Sequence, residues 1–129
     1  MASDNAYKLV LHAACSSVIQ AYEKIDYLIN ECDKRLLLTC DDNGEIPLHV
    51  AARHKDTSLI RLLLDKPECQ VRVNKPNNDG KTPPHVAVIS AKYGNVEALL
   101  QQHFCDVNAQ DVDGNTPRTA LLLVNIFKY

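Results

Sequence analysis

"DVDGNTP", residues Asp111 to Pro117, places acidic turn formers, a glycine, a threonine and a proline in one short stretch. A glycine adopts positive φ at low cost, which lets the acid-rich segment fold back tightly. The threonine is an N-cap residue type, and proline suits the first helical turn, where its missing N–H had no partner anyway. The stretch therefore predicts an extended turn that becomes a helix within a few residues.

The same punctuation recurs as "DDNGEIPLH" from Asp41 to His49, "NNDGKTPPH" from Asn77 to His85 and "DVDGNTPRT" from Asp111 to Thr119. Its glycines, Gly44, Gly80 and Gly114, stand 36 and 34 residues apart, and a period of this length marks a repeat array. A degenerate copy, "LVLHAAC" from Leu9 to Cys15, lies 37 residues before "IPLHVAA" at Ile46 to Ala52. Leu37, Val73 and Val107 each precede their glycine by seven residues, so the phase extends beyond the turn. Three intact joints and one worn one are visible.

Each interval reads as a helix, a turn, a second helix and an extended return. "LHVAA" then "SLIRLLL", and "HVAVISA" then "NVEALL", keep the apolar spacing of amphipathic helices. Thr82 and Thr116 are expected to cap helix starts, and Pro47, Pro83 and Pro117 to occupy first turns. Ala51, Ala52, Ala87 and Ala91 are small enough for close helix packing, while Leu62 to Leu64 and Leu99 to Leu100 supply bulk. One such pair cannot cover both of its faces, so neighbouring pairs stack into a short solenoid.

Composition fits this reading. The 129 residues are 46% hydrophobic and 23% charged, with five Tyr, two Phe and no Trp, so burial rests on many small aliphatic contacts. A net charge of −2, from 14 Lys plus Arg against 16 Asp plus Glu, offers no block of like charge for nucleic acid or a membrane surface. The longest apolar run, "ALLLV" at Ala120 to Val124, is far below the roughly 20 residues that span a bilayer. The amino-terminal "MASDNAYK" lacks the apolar core of an export signal, and the expectation is a chain neither exported nor membrane-spanning. Five scattered cysteines without a C-x-x-C fit reduced thiols in the cytosol or nucleus, and the five histidines do not complete a zinc spacing with them.

Taken together, "DDNGEIPLHVAA", "SLIRLLL", "NNDGKTPPHVA", "GNVEALL" and "CDVNAQDVDGNTP" resemble the ankyrin-repeat family across residues 36 to 119. The resemblance implies an all-α solenoid of about three helix-turn-helix units plus a partial fourth, with short β-hairpin loops. One domain over residues 1–129 is expected, in units of approximately 5–40, 41–76, 77–110 and 111–129. The chain departs from the family pattern at Ile46, Pro84 and Thr119, where threonine, leucine and histidine are usual. The spacing from His85 to Gly94 predicts a longer, irregular loop near Ser90 to Tyr93 and a second helix shortened by two residues. "DKPECQVR" predicts an insertion of about three residues after the second helix of its unit. "TALLLVNIFKY" reads as one apolar helix of a fourth unit, and Leu121 to Phe127 is a candidate surface for self-association.

No catalytic constellation emerges. His49 and His85 occupy the slot where the family uses imidazole to hydrogen-bond loop backbone, and no nucleophile recurs beside them with a third partner. "DGK" at Asp79 to Lys81 belongs to no phosphate loop, and "CDDNGE" at Cys40 to Glu45 lacks the alternating ligands of a calcium loop. No enzyme activity, cofactor or metal is expected. Asn74 and Asn108 are expected to bond their own hairpin backbone. The resemblance also makes Asn108 the candidate for modification by an asparaginyl hydroxylase.

Function then falls to the positions that the repeat framework leaves free. For partner binding these are Asp42, Asn43, Glu45, Asn78, Asp79, Lys81, Val112, Asp113 and Asn115 around the hairpins. Arg53, His54, Lys92 and Tyr93 join them on the inner-helix side. The expected partner is another protein, with a mild preference for a basic segment. The alternative expectation is a targeting or regulatory segment of a larger enzyme or signalling protein whose catalytic domain lies elsewhere. The expected location is cytoplasmic or nuclear, or the host cytosol for a microbial effector.

Overall fold

A computed structural model describes residues 37–54 and 57–118. The worn first copy, Thr119 and the segment from Leu121 to Phe127 lie outside these residues. Helix α1 spans Pro47–Ala52, α2 Thr57–Leu64, α3 Pro67–Gln70, α4 Pro83–Ile89 and α5 Tyr93–Leu100. Within a unit α1 packs on α2 and α4 on α5; between units α1 packs on α4 and α2 on α5. Two helical layers result, one inner and one outer, each continuous from one unit to the next. This is the predicted all-α solenoid.

Local chemistry fixes where the inner helices begin. Ile46 and Thr82 hold extended backbone, with ψ 166° at each, and the proline that follows each opens the helix. Pro84 replaces a leucine without breaking α4, because a residue in the first turn has no intrahelical acceptor for its N–H. All six residues of α1 are buried, and Ala51, Ala52 and Ala87 are fully covered, which lets the inner helices approach closely. The outer helix α2 turns Leu59, Ile60, Leu63 and Leu64 inward, each contributing about 1.5–3 kcal/mol on full burial. Leu37 and Val73, which share the glycine's phase, are both in the core, whereas Val107 is half-buried.

The turns before α1 and α4, and the one beginning at Asp111, are built alike. Asp41 Oδ1 accepts the N–H groups of Asn43 and Glu45; Asn77 Oδ1 accepts those of Asp79 and Lys81; Asp111 Oδ1 accepts those of Asp113 and Asn115, all at 2.9 Å. The three glycines have φ of 74°, 76° and 82°. The expected β-hairpins are therefore turns closed by two backbone bonds each, such as Asp41 N–H to the Glu45 carbonyl and Gly44 N–H to the Asp41 carbonyl. Because the Asx side chain takes the amide that a second ladder rung would use, no strand forms among the described residues.

Two departures resolve differently from expectation. The sequence from Ser90 to Lys92 is a three-residue connection rather than a long irregular loop, and α5 has eight residues, the same as α2. The extra residues are absorbed by α4 and by a closed C-cap. The Lys92 N–H bonds the Ala87 carbonyl and the Ala91 N–H bonds that of Val88, a Schellman motif with Ala91 at φ 57°. Ala91 is thus an exposed left-handed cap rather than a helix-packing residue. The insertion in "DKPECQVR" forms α3, which buries Cys69 beside α2 and anchors Gln70 Nε2 on the Leu64 carbonyl.

These backbone conformations give two tests. Left-handed φ costs alanine roughly 1–2 kcal/mol, only partly offset by the greater unfolded-state entropy of glycine. Ala91→Gly should raise stability by about 0.5–1 kcal/mol in chemical denaturation; a loss would remove the strain assignment. A Cβ on Gly80 would lie 2.9 Å from the Val112 amide nitrogen, whereas one on Gly114 meets nothing within 4 Å. Gly80→Ala should therefore lower the melting temperature clearly more than Gly114→Ala.

Candidate functional site

The two repeated histidines lie buried at the joints between units. His49 Nδ1 accepts the Ile46 N–H at 3.1 Å, and its Nε2 lies 3.0 Å from the Lys81 carbonyl in the next turn. His85 repeats this: Nδ1 accepts the Thr82 N–H at 3.1 Å and lies 2.8 Å from the Thr82 hydroxyl, while Nε2 is 2.8 Å from the Asn115 carbonyl. A carbonyl only accepts, so Nε2 carries the proton in both rings. Each imidazole spends both nitrogens on backbone, which leaves neither ring open as a base.

Beside these joints lies a groove lined by Glu45, Arg53, Asn77, Asp79, Lys81, Val86, Ile89 and Ser90. Arg53 donates to Glu45 through both ends of its guanidinium, Nη1 to Oε1 at 2.8 Å and Nη2 to Oε2 at 2.6 Å, and Asn77 Nδ2 adds a third bond at 3.1 Å. Burial alone would raise the Glu45 carboxyl, but these bonds and the Arg53 charge outweigh it and hold the group below the ordinary carboxylate value. The Glu45 bond likewise raises Arg53. At the equivalent place one unit later, Lys81 Nζ lies 3.6 Å from Asp111 Oδ2. Burial works to raise Asp111, yet the Asn115 and Asp113 amides together with Lys81 hold it below its usual value.

The structure sorts the expected contact residues. Asp42, Asn43, Asn78, Asp79, Val112, Asp113 and Asn115 lie exposed on the turns. Successive turns are tied by main chain, with the Asn78 N–H on the Asn43 carbonyl at 3.0 Å and the Val112 N–H on the Asp79 carbonyl at 3.1 Å. Glu45 is buried at the base of its turn, with its carboxylate committed to Arg53 and Asn77. The groove brings Glu45, Arg53, Asp79 and Lys81 together, whereas His54, Lys92 and Tyr93 stand outside its lining.

Three features were not anticipated. Ile89 is 59% exposed in the groove, at the inner-helix position equivalent to Arg53. Its signal in the sequence is an isoleucine where the neighbouring unit has an arginine. Asn95 is buried and donates Nδ2 to the Ala52 and His54 carbonyls at 2.9 and 2.7 Å, capping the end of α1 from the next unit. Asn74, expected to bond its own hairpin, instead bonds the following unit, with Nδ2 on the Phe104 carbonyl at 2.6 Å and Oδ1 on the Asp106 N–H at 2.7 Å. The next unit's backbone lies within reach, so it replaces the local partner. Asn108 lies exposed.

Among the described residues no group of three His, Cys, Asp or Glu side chains could hold a metal ion, and no helix is long and apolar enough to cross a membrane. The family described as ankyrin repeats, in three copies, matches residues 8–111. The chain is 36% identical over 77 residues to the neurogenic locus notch homolog protein 1 of Xenopus tropicalis, covering 60% of this chain and 3% of that protein. It is 37% identical over 79 residues to the neurogenic locus Notch protein of Drosophila melanogaster, covering 61% and 3%. Human inversin is 33% identical over 95 residues, covering 66% and 9%. The chain therefore spans less than a tenth of the length of these relatives.

The histidine joint carries a pH dependence. Burial, the largest influence, pushes His49 below its ordinary value of 6.5, because a protonated Nδ1 would face the Ile46 N–H inside an apolar surround. The unfolded chain then binds this proton first as pH falls. The contribution of His49 to stability should be constant above about pH 6.5 and decline below it, toward the lower folded value. Denaturant midpoints between about pH 7 and pH 5 should show a smaller decline in His49→Gln than in the parent chain. Parallel declines in the two proteins would remove this contribution.

Proposed function

Because the chain belongs to the ankyrin-repeat family, whose repeats are generally protein–protein interaction modules, we propose that it binds another protein through its turn tips and inner-helix face. The observation that carries this reading is the groove beside the tips, where the exposed apolar Ile89 lies among charged side chains. Isolated exposed aliphatic residues are ordinary, but one seated in a groove rimmed by polar groups has the makeup of an interface centre. The framework around it is fixed by main-chain bonds, so little order is lost on association. The exposed acids Asp42, Asp79 and Asp113, one on each turn, favour a partner with a basic segment.

A second role follows from the relatives. Each carries the matching region as a small part of a much longer protein. In that setting the module would direct or regulate a larger enzyme or signalling protein. The free thiols of Cys40, Cys69 and Cys105 suit a reducing location, the cytosol or nucleus.

The interaction face is tested by proximity labelling with the parent chain and with Asp42→Lys, Asp79→Lys and Asp113→Lys combined. Arg53 is left intact, since its loss would strand the buried Glu45 carboxylate. The combined variant should keep its melting temperature within a few degrees and lose about tenfold or more of specific partner recovery. Equal recovery would refute the assignment of this face.

A further inference from the structure

The groove is electrostatically lopsided. Both of its cations are satisfied from inside the fold: Arg53 by Glu45, whose side chain is 7% exposed, and Lys81 by Asp111, whose side chain is 2% exposed. A ligand carboxylate would have to displace an acid already seated and hydrogen-bonded. The carboxylates facing solvent are Asp79 at the groove and Asp42 and Asp113 on the flanking turns, and none of them forms an ion pair among the described residues. Of the charges lining the groove, the one left unneutralised is that of Asp79.

Below that acidic rim the chemistry changes. Ile89 stands exposed at the end of α4, and the buried Val86 one turn earlier lines the same groove. One unit earlier the equivalent position holds Arg53, so the apolar surface is bounded on that side by the Arg53–Glu45 pair. An apolar spot of limited extent next to an acidic edge selects for a composite ligand. Neither a purely basic nor a purely apolar chain would use both halves.

We infer that the groove receives a short segment of a partner protein in which one large aliphatic or aromatic side chain covers Ile89 and Val86. A neighbouring lysine or arginine reaches Asp79, and further cations lie toward Asp42 and Asp113. The inference rests on the protein-binding reading above and adds the chemistry of the bound segment. Apolar contact supplies most of the residence time, and the charges set orientation and reject acidic competitors. The neutralised cations explain why the same surface does not serve an acidic ligand.

The test uses the full chain and three fluorescein-labelled peptides read by anisotropy: one with a leucine flanked by arginines, one with that leucine changed to serine, and one with the arginines changed to glutamate. The arginine–leucine peptide should bind, and each of the other two should bind about tenfold or more weaker. Raising salt from about 0.05 to about 0.3 M should weaken the first complex. Ile89→Asp and Asp79→Lys, both at exposed positions, should each weaken it about tenfold while leaving the melting curve in place. Asp79→Lys should also improve binding of the glutamate peptide, a rescue that general loss of structure would not produce. Equal binding of the arginine and glutamate peptides by the parent chain, indifference to Ile89→Asp, or no binding below about 1 mM would overturn the inference. If the groove tests fail while the combined turn-tip variant still loses its partner, the protein-binding reading stands and only the groove assignment falls. If the combined variant loses nothing either, both fall.

Discussion

Each unit is held to the next by an imidazole that faces two ways. Nδ1 of His49 or His85 accepts the amide just before its own inner helix, while Nε2–H reaches a carbonyl at the base of the following turn. No other uncharged side chain offers an acceptor and a donor on opposite edges of a rigid ring. The arrangement fixes the tautomer, and the tautomer fixes the register between neighbouring units. With the turns set in register, the glycine of one can seat against the backbone of the next, as Gly80 does against Asp111 and Val112.

Polar ties of this kind set geometry more than they set stability, because an intramolecular hydrogen bond nets only about 1 kcal/mol against water. The larger stabilisation comes from α2 and α5, whose aliphatic residues are covered only when both units are present. Asn95 and Asn74 add to this dependence, each closing carbonyls of a neighbouring unit rather than its own. A single helix pair would leave those carbonyls and that apolar surface in water. The division is consistent: aliphatic burial makes the stack stable, and buried imidazole and amide groups make it unique.

Much of the fold was legible because the repeat prints the same physical requirement several times. Positive φ at Gly44, Gly80 and Gly114, proline at the first turn of α1 and α4, and the leucines of α2 each follow from residue type and phase. Ser90 to Lys92 misled because loop length was counted from spacing, whereas the Schellman bonds consume residues that spacing assigns to a loop. Asn74 misled because a local partner is the default for a turn asparagine, and only the folded stack shows a closer one 30 residues on. Asp42, Asn43, Asn78, Asp79, Val112, Asp113 and Asn115 lie on the surface as the repeat pattern implies, whereas Glu45 is buried and Lys81 is half-buried and paired with Asp111. The ion-pair partner of Glu45, Arg53, lies eight residues away, a distance over which sequence pattern carries no pairing information. Ile89 escaped notice for the opposite reason, since an isoleucine ending an amphipathic helix reads as core until the packing shows it uncovered.

Successive turns touch chiefly through main-chain groups, Asn78 N–H on the Asn43 carbonyl and Val112 N–H on the Asp79 carbonyl. The second of these joints works with a valine where the first has an asparagine whose side chain makes an additional bond. Identity at the outer turn positions is thus largely decoupled from the architecture beneath them. Such a scaffold can exchange its outward-facing chemistry one side chain at a time without passing through an unstable ancestor, which leaves recognition free to diverge while the fold stays fixed.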